Sequence, residues 1–176
     1  MSNIKTYVPS SIVIAINHAR TGVSHVVTSL MKDSIVSIEF PDSTWTESAD
    51  NYGSLERVHS KDNNIRMTLH VPQTSPDNDV FEALATYDEK DPTGLDGIFT
   101  CSFADKSSRA WAYSAECFLK RPQNYEYNNG VSPRDWMIVF SNADKYMGGS
   151  GKLNQDIVDN LAKLGVDIED RWKANA

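Results

Sequence analysis

Residues 67–84 read Met-Thr-Leu-His-Val-Pro-Gln-Thr-Ser-Pro-Asp-Asn-Asp-Val-Phe-Glu-Ala-Leu, and the rest of the chain is read outward from them. Together with the two residues before it, the stretch opens in strict alternation. Ile65, Met67, Leu69 and Val71 fall on one face, Arg66, Thr68 and His70 on the other. That two-residue period marks a strand with one buried face. Pro72 ends it, because proline has no N–H to give a ladder. A helix start follows at once. Ser75 reads as the N-cap and Pro76 as the first helical residue. Asp77 and Asp79 complete the cap, setting carboxylates beside the orphan N–H groups and the positive end of the helix dipole. Val80, Phe81, Leu84 and Tyr87 recur at helical spacing and predict an apolar stripe laid on the sheet.

Upstream, residues 12–16 (Ile-Val-Ile-Ala-Ile) form a β-branched run expected as a strand buried on both faces. Residues 17–25, with Gly22, read as a turn, and 26–30 as a second short strand. In 34–40, Val36, Ile38 and Phe40 alternate with Ser37 and Glu39. Residues 41–53 carry turn formers and acids, and 55–59 read as the returning arm of a long hairpin with a polar, acidic tip.

Downstream, 88–97 is an acidic loop. Phe99, Cys101 and Phe103 alternate, and Trp111, Tyr113, Ala115, Cys117 and Leu119 read as one long alternating strand that ends before Pro122. Asn128-Asn129-Gly130 signals a turn before an apolar strand at 136–140. Many short strands around a single internal helix predict a mainly β (β+α) fold, an antiparallel β-sandwich or barrel with one internal packed helix. Leu153, Ile157, Val158, Leu161 and Leu164 then recur at helical spacing behind a flexible link, Gly148-Gly149-Ser150-Gly151, with Gly165 as the natural C′ residue. The expected division is a β domain over 1–151 and a C-terminal helical extension over 152–176.

The chain has 176 residues and a formal net charge of −7, and this acidity argues against specific nucleic-acid binding over most of its surface. No apolar run approaches the length of a membrane span, and the first residues lack the apolar core of a signal peptide. Cys101 and Cys117 are expected as free buried thiols.

No catalytic constellation can be assembled. Gly148 to Lys152 fails as a phosphate loop, because Tyr146 stands where a glycine is needed and Leu153 where a hydroxyl should hold Mg²⁺. Ser150 is not a nucleophile elbow, since Lys152 occupies the place of a glycine. His18, His25, His59 and His70 share no metal-ligand spacing and read as surface histidines, and 88–97 departs from a calcium loop at Lys90. Asp77 and Asp79 are explained by capping. No catalytic, cofactor-binding or metal residue is expected, and no enzyme.

The run from Ile65 to Leu84, with Gln73-Thr74-Ser75-Pro76-Asp77-Asn78-Asp79-Val80 at its heart, resembles the tail tube proteins of contractile-tailed bacteriophages. The likeness continues in order. It includes a strand from Phe99 that ends in an Asp105 turn, a strand from Ala115 to Pro122, the start Arg134-Asp135-Trp136, and the closing Met147-Gly148-Gly149. It is strongest over residues 64–150.

The resemblance implies a structural virion protein that assembles in the host cytoplasm into hexameric rings. The long hairpin would contribute to an inner β-barrel on oligomerisation, and the rings would stack inside a contractile sheath as a channel for DNA ejection. The architecture is similar to that of type VI secretion tube proteins. Implied partners are further copies of the chain, the tail sheath protein and a baseplate initiator. The tape measure protein and genomic DNA would occupy the lumen without specific binding, and no membrane is involved.

Glu39, Asp42, Glu47, Asp50 and Glu56 lie on or near the hairpin and are candidate lumen-facing acids. Solvated loop charges or salt-bridge partners between subunits are the other readings of the same residues. A tube initiator or terminator at a tail end, and a small-ligand-binding β-barrel module, are the alternative functions.

Overall fold

The computed structural model describes residues 11–32, 35–40 and 44–174. The strands are β1 (Ile12–His18), β2 (Val23–Val26), β3 (Val36–Glu39), β4 (Trp45–Ala49), β5 (Leu55–His59), β6 (Ile65–Pro72), β7 (Phe99–Asp105), β8 (Ala110–Lys120), β9 (Pro133–Ser141) and β10 (Asp144–Met147). Helix α1 (Asp77–Glu89) follows β6, and α2 (Gln155–Lys163) follows β10. One antiparallel sheet runs β2-β1-β7-β8-β9-β6-β3, with β10 also paired to β8, while β4 and β5 form a separate two-stranded sheet.

The large sheet must curl. Val27 N–H donates to the Ile14 carbonyl outside β1, and Met31 N–H donates to the His70 carbonyl outside β6. On a flat sheet these two outer positions would lie six strand spacings apart, about 29 Å. Four residues of chain reach about 14 Å at most. The 27–31 segment therefore draws the two margins together, and the sheet wraps around a core in the manner of a barrel. Helix α1 packs one face, with Phe81, Leu84 and Ala85, against the core of this curl. Phe81 meets the Trp136 ring at 5.5 Å and the His25 ring at 6.3 Å. Phe81, Trp136, Leu69, Ile138 and Cys101 have no exposed surface, and burying such side chains contributes about 1.5–3 kcal/mol each.

Several sequence expectations are corrected. The second strand lies at 23–26, not 26–30, because Gly22 at φ +70° completes the turn early and 27–31 becomes the bridging segment. The return partner of β3 is β6, with Glu39 opposite Arg66, whereas 55–59 pairs with 45–49, a strand that the acidic composition concealed. In β8 the predicted alternation is half inverted. The register with β7 slips between Phe99 and Cys101, so a bulge near Ala115 and Glu116 changes the phase. Cys117 and Leu119 point inward as expected, but Ala112 and Ser114 take the inward positions upstream, leaving Trp111 and Tyr113 each 44% exposed.

His18 is buried rather than on the surface. Its Nε2 pairs with the Asp96 carbonyl at 2.5 Å, and burial, aided by the Arg20 charge, lowers its pKa. Cys101 and Cys117 are buried free thiols.

The glycine segment before α2 is clamped, not a free hinge. A side chain on Gly148 would sit 2.7 Å from Arg109 Cβ, and Arg109 N–H donates to the Gly149 carbonyl. The Arg109 guanidinium donates to the Gly151 carbonyl and lies over the Trp172 ring. Leu153 bridges to Lys173 and closes the C-terminal segment on itself, with Val158 and Ile168 buried. Of the expected stripe on α2, Ile157 is 44% and Leu164 78% exposed.

Candidate assembly interface

The sheet alternation gives the curled body two different outer faces. On the β3-β6-β9 side, Glu39 sits opposite Arg66, Ser37 opposite Thr68, and His70 opposite Asp135. His70 Nδ1 pairs with Asp135 Oδ1 at 2.7 Å. A groove of about 550 Å³ runs among Glu39, Arg66, Lys120, Arg121 and Asp135, so this face mixes both signs of charge.

On the β2-β1-β7-β8 side the outward positions of β2, β1 and β7 carry no charge, while β8 adds the exposed Glu116 and Lys120 and its partner β10 adds Asp144. One row crosses from Val26 through Ala15 and Ser102 to Tyr113 and ends on Asp144, directly opposite Tyr113. The next runs from Val13 through Ala104 and Trp111 to Tyr146, and another from Ser24 through Asn17 to Thr100.

The β4-β5 hairpin stands apart, and every residue in both of its strands is exposed. Trp45, Glu47, Ala49, Leu55, Arg57 and His59 share one side, while Thr46, Ser48, Glu56 and Val58 share the other. On the first side Arg57 lies over the Trp45 ring at 4.1 Å, the His59 ring is 4.8 Å away, and Glu47 faces Arg57 across the strands. Tyr52 at the tip is 95% exposed, Leu55 65% and Val58 54%. A lone two-stranded hairpin is marginally stable at best in water, and one that exposes apolar side chains gains by being covered.

The expected lumen acids do not converge on one wall. Glu39 lies on the mixed-charge face, and Glu47 and Glu56 project to opposite sides of the hairpin. Asp50 is spent on its own turn, where Oδ1 accepts from the Tyr52 and Ser54 N–H groups at 2.9 and 2.8 Å. The Ser54 N–H bond leads in holding its carboxyl below the usual range. Asp42 lies outside the described residues.

At the helix start Ser75 Oγ accepts from Asp77 N–H at 3.1 Å, and Asp79 is exposed in the first turn. Asp77 has no exposed surface, and its carboxylate turns to a distant segment. It accepts from Thr28 N–H at 3.1 Å, Ser29 N–H at 2.9 Å and the Ser75 hydroxyl at 3.0 Å, and it pairs with His25 Nε2 at 2.8 Å. Burial pushes this carboxyl up, but the Ser29 and Thr28 N–H groups, with Ser75 and His25, outweigh it and leave the pKa lowered. The aspartate thereby ties α1 to the segment that closes the curl.

Asn78, not singled out from the sequence, completes the junction. Its amide donates to the Pro72 and Ser75 carbonyls, and its Oδ1 accepts from Trp136 Nε1–H at 2.9 Å. An amide directly after a capped proline turn was the available signal. Arg109 and Arg57 carried no local signal, since their partners come from elsewhere in the fold. Among the described residues no group of three or more His, Cys, Asp or Glu side chains could hold a metal ion, and no helix is long and apolar enough to cross a membrane.

No family model matches the chain. It is 34% identical over 167 residues to structural protein ORF10 of Pseudomonas phage KPP10, covering 95% of this chain and 96% of that protein. Three solved structures are remotely similar. The sheath/tube terminator of an extracellular contractile injection system, PVC, in the extended state aligns with TM-score 0.49 and 8% identity, covering 83% of this chain and all of that one. The sheath-tube complex of that system gives 0.48 and 9%, over 81% and 93%. The tube terminating cap of the anti-feeding prophage gives 0.47 and 8%, over 84% and 95%. Likenesses this remote decide nothing about the role of the chain.

Proposed function

The chain belongs to the family of the phage structural protein ORF10, which makes it a virion component, and we propose that it is the subunit of an inner tail tube. In this reading copies form rings, the rings stack within a contractile sheath, and DNA leaves through the bore. The observation that carries it is the β4-β5 hairpin, which projects from a closed body with every strand residue exposed and Tyr52, Leu55 and Val58 uncovered. Such an element is stabilised when a neighbouring molecule covers it, and a ring of identical subunits supplies a neighbour at every position. The tail-tube resemblance over residues 64–150 favours the same assembly. The mixed-charge face offers a lumen wall to which a phosphate backbone would not adhere over long stretches, since Glu39 and Asp135 stand among its cations. The 1–151 body would build the tube, and the 152–176 extension would lie on its outer wall toward the sheath.

Electron microscopy of the purified protein, with the baseplate initiator complex added, is expected to show rings or tubes with an axial channel. A protein that stays monomeric at high concentration with the initiator present refutes the reading. Quantitative mass spectrometry of virions separates a main tube subunit, present in very many copies, from an end component present in few.

A further inference from the structure

We infer that His18 is an acid-operated latch: its neutral ring holds the α1-β7 loop, residues 90–98, to the β1-β2 turn, and a second proton on the ring releases it. The latch is a property of the fold and stands apart from the assembly reading above.

The ring is built in from both sides. His18 ends β1, has no exposed surface, and bridges to a residue 78 positions away. Its two nitrogens have different duties. Nε2 lies 2.5 Å from the Asp96 carbonyl oxygen, which can only accept, so Nε2 carries the hydrogen. In the neutral ring Nδ1 is then the bare acceptor. It takes the Thr21 hydroxyl at 2.7 Å and the Thr21 N–H at 3.3 Å, while the hydroxyl oxygen accepts from Val23 N–H at 3.4 Å. Neutral His18 therefore serves the loop with its donor and the turn with its acceptor.

A second proton spoils this arrangement. Nδ1–H would face Thr21 N–H, donor against donor. The new cation would also be buried, against the edge of the Tyr87 ring at 5.5 Å and beside the Arg20 charge. The titratable and charged groups around the ring are Arg20 on the turn, Asp96 and Asp91 in the loop and Tyr87 on α1. Neither acid is free to offset an imidazolium. Asp96 is paired with Arg20, and the Asp91 carboxylate accepts from the N–H groups of Thr93, Leu95 and Asp96 at 2.8, 2.8 and 2.6 Å. Burial first, and Arg20 second, lower the His18 pKa in agreement with the geometry.

The Asp91 bonds also make the loop a unit that keeps its shape. Among the described residues two contacts join it to the β1-β2 turn, the His18 bond to the Asp96 carbonyl and the Arg20–Asp96 pair. The Arg20 side chain is 59% exposed, and an ion pair so open to water holds weakly by itself. The open form takes its proton near the ordinary histidine value of about 6.5, the latched form only at lower pH. Latching is thus fully present above about pH 6.5 and weakens as pH falls toward the folded pKa, by at most about tenfold per pH unit for one proton.

Hydrogen exchange of the full chain at pH 7 and pH 5, corrected for the intrinsic chemical rate, tests this. Residues 19–22 and 91–98 are expected to open at least about threefold more at pH 5, with 136–140 unchanged. Stopping at pH 5 keeps Asp77, Asp91 and Asp105 ionised, since their pKa values are lowered. His18→Gln keeps a side-chain donor for the Asp96 carbonyl and cannot titrate, so its loop should open equally at both pH values. NMR of the wild-type ring should show the Nε2–H tautomer at pH 7 and protonation in step with loop opening. Unchanged loop protection in the wild type, the same acid response in His18→Gln, or an Nδ1–H tautomer at pH 7 overturns the latch. Should His18→Gln fail to fold, the wild-type titration decides, and loop opening without ring protonation refutes the inference.

Discussion

Removing the Asp77 carboxylate should loosen the closure of the curled sheet, and the size of the effect follows from its partners. In Asp77→Ala the N–H groups of Thr28 and Ser29 lose their acceptor. An orphaned buried donor costs about 1–3 kcal/mol, and since these two are part-buried they come to about 2 kcal/mol together. That is a measurable share of the roughly 5–15 kcal/mol that holds a domain folded. Asp77→Asn should be milder. The amide oxygen can stand where Oδ2 stands and keep both N–H groups, while the amide NH₂ faces His25, whose other tautomer accepts. Only the charge assistance goes, worth about 1–2 kcal/mol.

The pH dependence has a definite sign. The folded pKa of Asp77 is lowered, so its stabilisation is fully present above the unfolded value of about 3.9 and is lost as pH falls through the folded one. The gap between wild type and Asp77→Asn should be constant near neutrality and narrow below about pH 4. Urea unfolding of the monomer followed by tryptophan fluorescence measures it, and hydrogen exchange should show the Thr28 and Ser29 amides opening first. Asp77→Ala within about 0.5 kcal/mol of wild type, the range of an ordinary surface change, would refute the reasoning. So would a gap that persists unchanged far below pH 4.

Four further outcomes follow from the packing. Trp136→Ala should cost about 3–5 kcal/mol in urea unfolding, because a fully buried ring against Phe81 is lost and Asn78 Oδ1 loses its donor. Gly148→Ala should destabilise by about 1–3 kcal/mol in thermal melts, since the new methyl would press on Arg109 Cβ and the Tyr146 ring, and an unchanged melt would mean that the contact yields. Arg109→Ala should free the C-terminal segment from Trp172 and Gly151, and limited proteolysis there should quicken about tenfold, with equal rates counting against the clamp. Glu47→Lys, which sets a cation opposite Arg57, should loosen the hairpin, and hydrogen exchange over residues 45–59 should quicken, with unchanged exchange counting against a favourable contact of these two charges.

Legibility in the sequence tracks burial. The strand at 65–72 and helix α1 could be read because each has one covered face, which imposes a period, and because Ser75 and Pro76 mark the junction chemically. The arms of the β4-β5 hairpin could not. With both faces exposed, nothing in Trp45-Thr46-Glu47-Ser48-Ala49 is forced to alternate, and the acids around it read as a loop. The β8 strand failed differently. Its alternation is real on both sides of Ala115 and Glu116, but one bulge exchanges the faces, so a single run of odd-numbered positions joined Trp111 and Tyr113 to Cys117 and Leu119. Asp77 was read by its neighbours in sequence, while the groups that fix its charge come from Thr28 and Ser29, some 49 residues away.

The same logic explains why the outward face of the sheet was the least legible part. A core face is selected by the chain's own packing, and its pattern is written at regular intervals along each strand. An outward face is free of that rule within the subunit, and here the outward positions of β2, β1 and β7 carry no charge while those of β8 include Glu116 and Lys120. Val26, Ala15, Ser102 and Tyr113 form one row only after β1 and β7 have paired across 83 or more residues. No window of sequence contains that row. The absence of charge along it becomes an observation only when the sheet has assembled it.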